Sequence, residues 1–119
     1  MVYSIIAADV DGDTDTDLVA AASGQDSILW FENADGTGGA WNQRTVSTSA
    51  SGVRSVFARD IDGDGDIDLA AALPDADTIA WYENRDGGGK TWVKFDVSTV
   101  ADSARSVFGI DIDNDGDVD

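Results

Sequence analysis

The sequence predicts an all-β fold made of four-stranded antiparallel blades, the unit from which β-propellers are built. Three observations predict it. A pattern recurs every 51 residues, each repeat holds four short strand-like stretches separated by turn residues, and an acidic run lies between the first and second stretches. A period in this range is typical of stacked or radial arrays, and four antiparallel strands per unit form a propeller blade.

The repeat is visible when the sequence is superimposed on itself. The acidic runs begin 51 residues apart, at Asp9, Asp60 and Asp111. With the same shift, residues 30–33 align with 81–84, Trp41 aligns with Trp92, and residues 53–57 align with 2–6 and with 104–108. The chain is therefore divided into a first blade at residues 2–52, a second blade at 53–103, and a partial blade at 104–119 that holds a first strand and its acidic loop.

In the second repeat the strands are expected, in order, at residues 54–61, 67–73, 78–84 and 91–98. The acidic run joins the first two strands, Pro74 ends the second, and the glycines of residues 85–89 separate the third from the fourth. The alanine triplets at residues 20–22 and 70–72 place small side chains in the second strands, where neighbouring blades crowd together. The tryptophans are expected to pack between blades, since aromatic side chains carry much core area.

In each acidic run, aspartate occupies every second position of nine residues. Five carboxylates so close together repel one another, and a compact loop made from them needs a multivalent cation between the oxygens. The chain has no histidine and no cysteine, and hard carboxylate oxygens favour Ca²⁺ or Mg²⁺ over zinc, copper or iron. Calcium is preferred because it accepts roughly six to eight oxygens in irregular geometry. The candidate ligands are Asp9, Asp11, Asp13, Asp15 and Asp17; Asp60, Asp62, Asp64, Asp66 and Asp68; and Asp111, Asp113, Asp115, Asp117 and Asp119.

In the second loop the side chains of four aspartates can converge on one ion, and the backbone carbonyl of Asp66 completes the set. Gly63 and Gly65 allow the tight curl that this requires. Apolar residues at the second and eighth positions are expected to anchor the loop ends in a core, with Thr16 as the exception. The four converging residues are Asp60, Asp62, Asp64 and Asp68, and the apolar residues are Val10, Ile61, Ile112, Ile67 and Val118.

Two alternatives compete with a metal-binding loop between strands. An aspartate-rich run is usually a solvated acidic surface or a disordered tail, but here it recurs at a fixed period between apolar strands. A helix-flanked calcium hand would need a bidentate glutamate at its twelfth position, where the second run has Ala71.

Composition limits the classes of function. The 119 residues are 42% hydrophobic and carry a net charge of −17, and fifteen of the 24 acidic residues lie in the three runs. Nucleic acid and anionic membranes are poor partners for such a surface, and no stretch is long enough for membrane insertion. Residues 1–10 lack the pattern of a secretory signal, so an export signal is expected to lie outside this sequence. Sites of this kind fill at extracellular calcium levels, which predicts an extracellular or cell-surface location.

Residues 54–72 and the Ile-Ala-Trp-Tyr-Glu-Asn stretch at 79–84 resemble the calcium-binding propeller repeats of the FG-GAP and VCBS type. Such repeats occur in integrin α-subunit heads and in a fungal N-acetylglucosamine-binding propeller lectin. The resemblance implies that the first, third, fifth and ninth loop positions offer side chains to calcium and the seventh a backbone carbonyl. Two departures are Thr14 and Asp119. Thr14 replaces the glycine expected at the sixth position, so the first loop is expected to be strained or to bind calcium more weakly. The terminal position of Asp119 favours fraying.

The expected function is that of a non-enzymatic calcium-binding module for extracellular binding or adhesion, with calcium in a structural role. Two blades cannot close a ring of roughly four to eight. The ring is therefore expected to be completed by other copies, as a homo-oligomer, or by further blades of a larger propeller. The alternatives are an architectural subunit of a ring or filament, and a lectin that binds glycans at the loops of residues 33–39 and 84–89, although such loops are more often only turns. An enzyme is the weakest candidate, because the chain lacks histidine and cysteine and its carboxylates are committed to metal.

Overall fold

The computed structural model describes all 119 residues and contains two four-stranded antiparallel sheets. Neighbouring strands in each sheet are consecutive in sequence, in the orders β1-β2-β3-β4 and β5-β6-β7-β8. No helix in it has the length and apolar character needed to cross a membrane. The first sheet comprises β1 (Val2–Ala8), β2 (Asp17–Ala22), β3 (Ser27–Asn33) and β4 (Trp41–Ser47); the second comprises β5 (Ser55–Arg59), β6 (Asp68–Leu73), β7 (Thr78–Asn84) and β8 (Trp92–Ser98); short 3₁₀ turns follow β2 at Ser23–Gln25 and β6 at Pro74–Ala76.

These sheets confirm the all-β fold class and the four-stranded blades. Each of the four strands expected in the second repeat is present, but Ile61 and Ile67 fall in the acidic loop rather than in the strands beside it. One expectation needs correction: residues 104–110 form no strand. The physical reason is that β1 and β5 are strands because each pairs with a following second strand, and residues 104–110 have no such partner.

The hydrophobic core lies between the two sheets. A single cluster of buried side chains draws from both, with Val19, Ala21 and Trp30 from the first sheet and Leu69 and Tyr82 from the second. The alanines of β2 and β6 are almost all buried, as the crowding of the second strands predicted. Close packing of this kind holds the loops of the two sheets side by side.

Two hydrogen bonds join the sheets at the edge of this core. The Trp30 indole Nε1 donates to the carbonyl oxygen of Gly89 at 3.0 Å, and the Asn84 amide Nδ2 donates to the carbonyl oxygen of Val10 at 2.9 Å. Trp92 donates to the same Gly89 oxygen at 2.8 Å. The tryptophan of one sheet is thus bound to the glycine-rich turn of the next.

Replacing Gly89 with alanine should destabilise the protein by about 2–5 kcal/mol. Gly89 has a φ of +67°, and an added Cβ would lie 2.6 Å from Cζ2 of the buried Trp30. The left-handed backbone costs roughly 1–2 kcal/mol and overpacking roughly 1–3 kcal/mol more. Gly38→Ala is the matched control, because Gly38 has a φ of +79° but its nearest neighbour would lie 3.8 Å away. Urea unfolding should show a clearly smaller loss of unfolding free energy for Gly38→Ala than for Gly89→Ala. Equal losses of unfolding free energy would contradict the tight contact at Gly89.

Candidate metal centre

The first two acidic runs are the hairpin loops that join the first and second strands of each sheet. In each loop the first aspartate folds the chain back on itself by accepting two backbone hydrogen bonds. Asp9 accepts from Gly12 N at 2.9 Å and Thr14 N at 3.0 Å, and Asp60 accepts from Gly63 N at 2.8 Å and Gly65 N at 2.9 Å. Asp111 accepts in the same way from Gly116 N at 3.1 Å. The shared spacing of the aspartates therefore produces the same curl in the first two loops and a closely similar one in the third, where the other donor to Asp111 is Asp115 N at 3.2 Å.

Each loop brings three carboxylates together. One oxygen from each residue of a group lies within 4.8 Å of the oxygens from the other two. Asp64 lies outside the group of the second loop, and Asp17 and Asp119 lie outside those of the first and third. The groups are Asp9, Asp11 and Asp13; Asp60, Asp62 and Asp68; and Asp111, Asp113 and Asp115.

The ninth aspartate also has a structural contact that the sequence did not reveal. Asp68 is completely buried, and its two oxygens accept from Ile61 N at 3.1 Å and from Asn84 N at 2.9 Å. Asp17 repeats this arrangement with Val10 N at 2.9 Å and Asn33 N at 2.8 Å. The ninth carboxylate therefore ties the loop entrance to the end of the third strand. Each oxygen keeps a second lone pair that can face a cation.

The seventh aspartate turns its side chain away from the loop. A Cβ on Gly36 would lie 2.5 Å from Oδ2 of Asp15, and a Cβ on Gly87 would lie 2.6 Å from Oδ2 of Asp66. The carboxylates of Asp15 and Asp66 thus cover the turns that follow β3 and β7. This placement leaves their backbone carbonyls as the groups that could serve an ion, as the family resemblance implies.

The apolar residues at the loop ends differ in burial. Val10 is buried, Ile61, Ile67 and Val118 are half-buried, and Ile112 is 73% exposed. Ile112 therefore does not anchor the third loop in a core, because no blade packs beyond that loop in the structure.

The electrostatics of the loops favour a bound cation. Partial loss of solvation is the largest influence on four carboxyl groups and raises the pKa of each one, and nearby carboxylates raise these pKa values further; backbone hydrogen bonds act in the opposite direction. The four groups are Asp11, Asp17, Asp62 and Asp68. A divalent cation would offset this penalty, since it stabilises the charged form of every carboxylate around it. The donor set of hard carboxylate and carbonyl oxygens fits Ca²⁺.

The first loop is strained at Thr14. Its φ is +79°, whereas the glycines at the same loop position, Gly65 and Gly116, have φ values of +97° and +100°. A β-branched residue in this region is a true outlier, and the strain is of order 1–3 kcal/mol. The sequence had predicted strain at this position from the missing glycine.

Replacing Thr14 with glycine should stabilise the protein by about 1 kcal/mol and tighten calcium binding to the first loop. Relief of the φ strain outweighs the extra freedom that glycine brings to the unfolded chain. The reverse change, Gly65→Thr, should destabilise it by a similar or larger amount. Chemical unfolding at saturating and at zero calcium measures both variants, and a loss of stability in Thr14→Gly would contradict the assignment of strain.

Asn33 and Asn84 are the residues of the site that sequence reasoning did not assign to it. Besides its backbone bond to Asp68, Asn84 accepts from Gly89 N at 2.9 Å through its side chain, and Asn33 accepts from Gly38 N at 2.9 Å. They link the acidic loop of a sheet to the glycine-rich turn beside it. The only available signal was the recurrence of asparagine at the end of the third strand, in residues 30–33 and 81–84.

A comparison with protein families matches this chain to the FG-GAP-like repeat over residues 9–71 and again over residues 60–119. The two matches overlap and together span nearly the whole chain. Each begins at the first aspartate of an acidic loop, so the matched unit includes the loop, the three remaining strands of its blade, the segment that corresponds to the first strand of the next blade, and the next acidic loop. Searches among curated proteins and among solved structures found no match.

Proposed function

The chain belongs to the family of FG-GAP-like repeats, and on that premise we propose that it is a calcium-stabilised module of β-propeller type that works outside the cell. In this proposal calcium is structural, the module is not an enzyme, and its role is binding or adhesion. Up to three ions would be held, one by each acidic loop.

The observation that carries the proposal is the convergence of carboxylate oxygens in three separate loops. Groups of like charge within 4.8 Å of one another are unfavourable without a cation. The same loops tie the first, second and third strands together through Asp17 and Asp68, so occupation of the loops is coupled to the stability of the blades.

The proposed extracellular location follows from the expected affinity of the loops for calcium. We place these loops in the class of extracellular modules, whose calcium dissociation constants are about 0.1–1 mM, because they are exposed and carry no bidentate glutamate. Sites of this strength are occupied at the calcium level outside cells and empty at the level inside them.

The proposal does not extend to glycan recognition by the two glycine-rich turns. The side-chain oxygens of Asn33 and Asn84 accept bonds within their own turns, and the Asn84 amide nitrogen donates to the carbonyl oxygens of Val10 and Ile67. Apart from the Nδ2 of Asn33, the polar groups of these two asparagines are therefore committed to contacts within the protein rather than presented to a ligand, which favours the interpretation of both loops as turns.

Protease resistance at controlled free calcium tests this proposal. The rate of cleavage by a nonspecific protease should fall steeply between about 0.01 and 1 mM free calcium. Magnesium at the same concentration should protect far less. A midpoint below about 1 μM would place the protein among intracellular calcium sensors and contradict the extracellular assignment; cleavage that does not depend on calcium would contradict the structural role.

A further inference from the structure

The outer face of the first sheet is an uncovered apolar surface. Its residues line an open cavity of about 270 Å³ with no polar side chain among them. Ile5 is 62% exposed and Trp41 is 42% exposed. We call this surface the open face; it consists of Ile5, Leu18, Ala20, Phe31 and Trp41.

The open face has a buried counterpart in the second sheet. Each residue of the open face has an equivalent 51 positions later in the sequence, and these five equivalents meet the first sheet in the core. Four of these are buried, and Trp92 packs against them. In order, the counterparts are Val56, Leu69, Ala71, Tyr82 and Trp92. The open face is therefore chemically the same as a surface that this chain already buries against another blade.

The surface that receives such a face is also present twice. Within the core, this receiving surface is formed by residues of the first blade. Their equivalents 51 positions later lie on the opposite, outer side of the second sheet. We call the second set the receiving face. It consists of Phe57, Ile61, Ala70, Ile79, Trp81 and Val97, which line one cavity of about 280 Å³. Val97 is 68% exposed, whereas its counterpart Val46 packs against the core.

Polar groups on the two faces are left without the partners that their counterparts have. The Trp81 indole Nε1 is buried and makes no hydrogen bond, whereas the equivalent Trp30 donates to Gly89. It lies near the Asp68 carboxylate and opposes the rise that desolvation causes in the pKa of that group, but its geometry is not that of a hydrogen bond. The acceptor equivalent to Gly89 is the carbonyl of Gly38, which borders the open face and accepts only from Trp41, at 3.0 Å.

A second pair follows the same rule. Asn84 donates from Nδ2 to the carbonyl of Val10 across the core, whereas the Nδ2 of Asn33 makes no corresponding bond. The acceptor equivalent to Val10 is Ile61, on the receiving face. Each face therefore offers the polar group that the other lacks, as well as matching apolar side chains.

We propose that the open face of one copy of this chain docks on the receiving face of a second copy, head to tail, by repeating the contact between the two sheets within the chain. Trp81 of one copy donates to the Gly38 carbonyl of the other, and Asn33 of the other donates to the Ile61 carbonyl. The contact uses different surfaces on the two copies, so it extends into a ring or filament rather than stopping at a symmetric dimer.

Residues 104–119 partly cover the receiving face and must give way. They lie where β1 and the acidic loop of the docked copy belong, and Phe108 contacts Phe57 edge to face at 4.8 Å between ring centroids. The segment joins no sheet and is held to β5 by the bond from Val107 N to Ser55 Oγ at 3.3 Å. The incoming strand β1 brings Ile5 and Ile6 to the positions of Val107 and Phe108. When the docked copy displaces the segment, the apolar contacts of Val107 and Phe108 are therefore replaced by equivalent apolar contacts of Ile5 and Ile6.

Three single substitutions of exposed aliphatic residues test the docking. Ile5→Glu blocks the open face and Val97→Glu blocks the receiving face. Val100→Glu is the matched control, since Val100 is 86% exposed and belongs to neither face. Sedimentation equilibrium in calcium, with about 0.15 M salt to screen the net charge of −17, measures the mass of each variant. Circular dichroism verifies that all three are folded.

The wild type and Val100→Glu should form a concentration-dependent series of oligomers, and each blocked variant should associate at least tenfold more weakly. A mixture of Ile5→Glu and Val97→Glu should form a dimer and nothing larger, because one free face of each kind remains. Phe108→Ser should strengthen association by loosening residues 104–119. A monomeric wild type, or dimers of a blocked variant alone, would overturn the proposal and leave the open face to a partner of another kind. Calcium binding could persist in either case, so this failure is distinct from that of the proposed function.

Discussion

Replacing Asp68 with alanine should destabilise the protein by about 3–5 kcal/mol even in the absence of calcium, which is a large part of the stability of a small domain. The carboxylate is buried and accepts the backbone N–H groups of Ile61 and Asn84. Alanine leaves both donors without an acceptor where water has little access. Urea unfolding in the presence of a chelator measures the loss directly.

Asp62→Asn is the control that separates the two roles of the loop aspartates. Asp62 is exposed, and it belongs to the same carboxylate group as Asp68. It accepts one local bond, from Asp64 N at 3.2 Å. Its substitution should weaken calcium binding to the second loop but change the calcium-free stability by less than about 0.5 kcal/mol. Equal losses for the two variants in chelator would contradict the structural contact assigned to Asp68.

Removing calcium should lower the unfolding temperature by about 10–20 °C. At tenfold excess over its dissociation constant, each ion adds about 1.4 kcal/mol to the free energy of unfolding, so three independent sites add about 4 kcal/mol. For a domain of this size, each kilocalorie changes the unfolding temperature by several degrees. Differential scanning calorimetry in about 2 mM calcium and in chelator gives the two temperatures.

The magnesium arm of the same experiment decides whether this stabilisation is specific. Magnesium keeps its waters and demands an octahedral site, so it should recover only a small part of the stabilisation. Full recovery by magnesium would show that simple charge neutralisation accounts for the effect. A shift that follows ionic strength alone would contradict the assignment of bound ions.

The sequence predicted most of the fold because the signals for it are local. Strand positions follow from short apolar stretches bounded by glycine and aspartate, and the curl of each acidic loop follows from bonds within nine residues. The strain at Thr14 was predictable for the same reason. The absence of a strand at residues 104–110 was not, because a strand depends on its partner as well as on its own residues.

The remaining features depend on how distant parts of the chain meet. The bond from Asn84 N to Asp68 is set by the register of β6 against β7, and the bond from Trp30 to Gly89 spans 59 residues. Spacing alone did not indicate that the ninth aspartate binds backbone groups as well as facing the loop. Likewise, the division of apolar residues into a buried core and two uncovered faces requires knowledge of which side of each sheet meets the other.

Titration of Ca²⁺ into metal-free protein by isothermal calorimetry tests the central claim most directly. The proposed function predicts heat from up to three sites per chain, with dissociation constants of about 0.1–1 mM, and a parallel gain in resistance to unfolding. Absence of binding heat at millimolar calcium, together with an unfolding curve that chelator does not change, would contradict it.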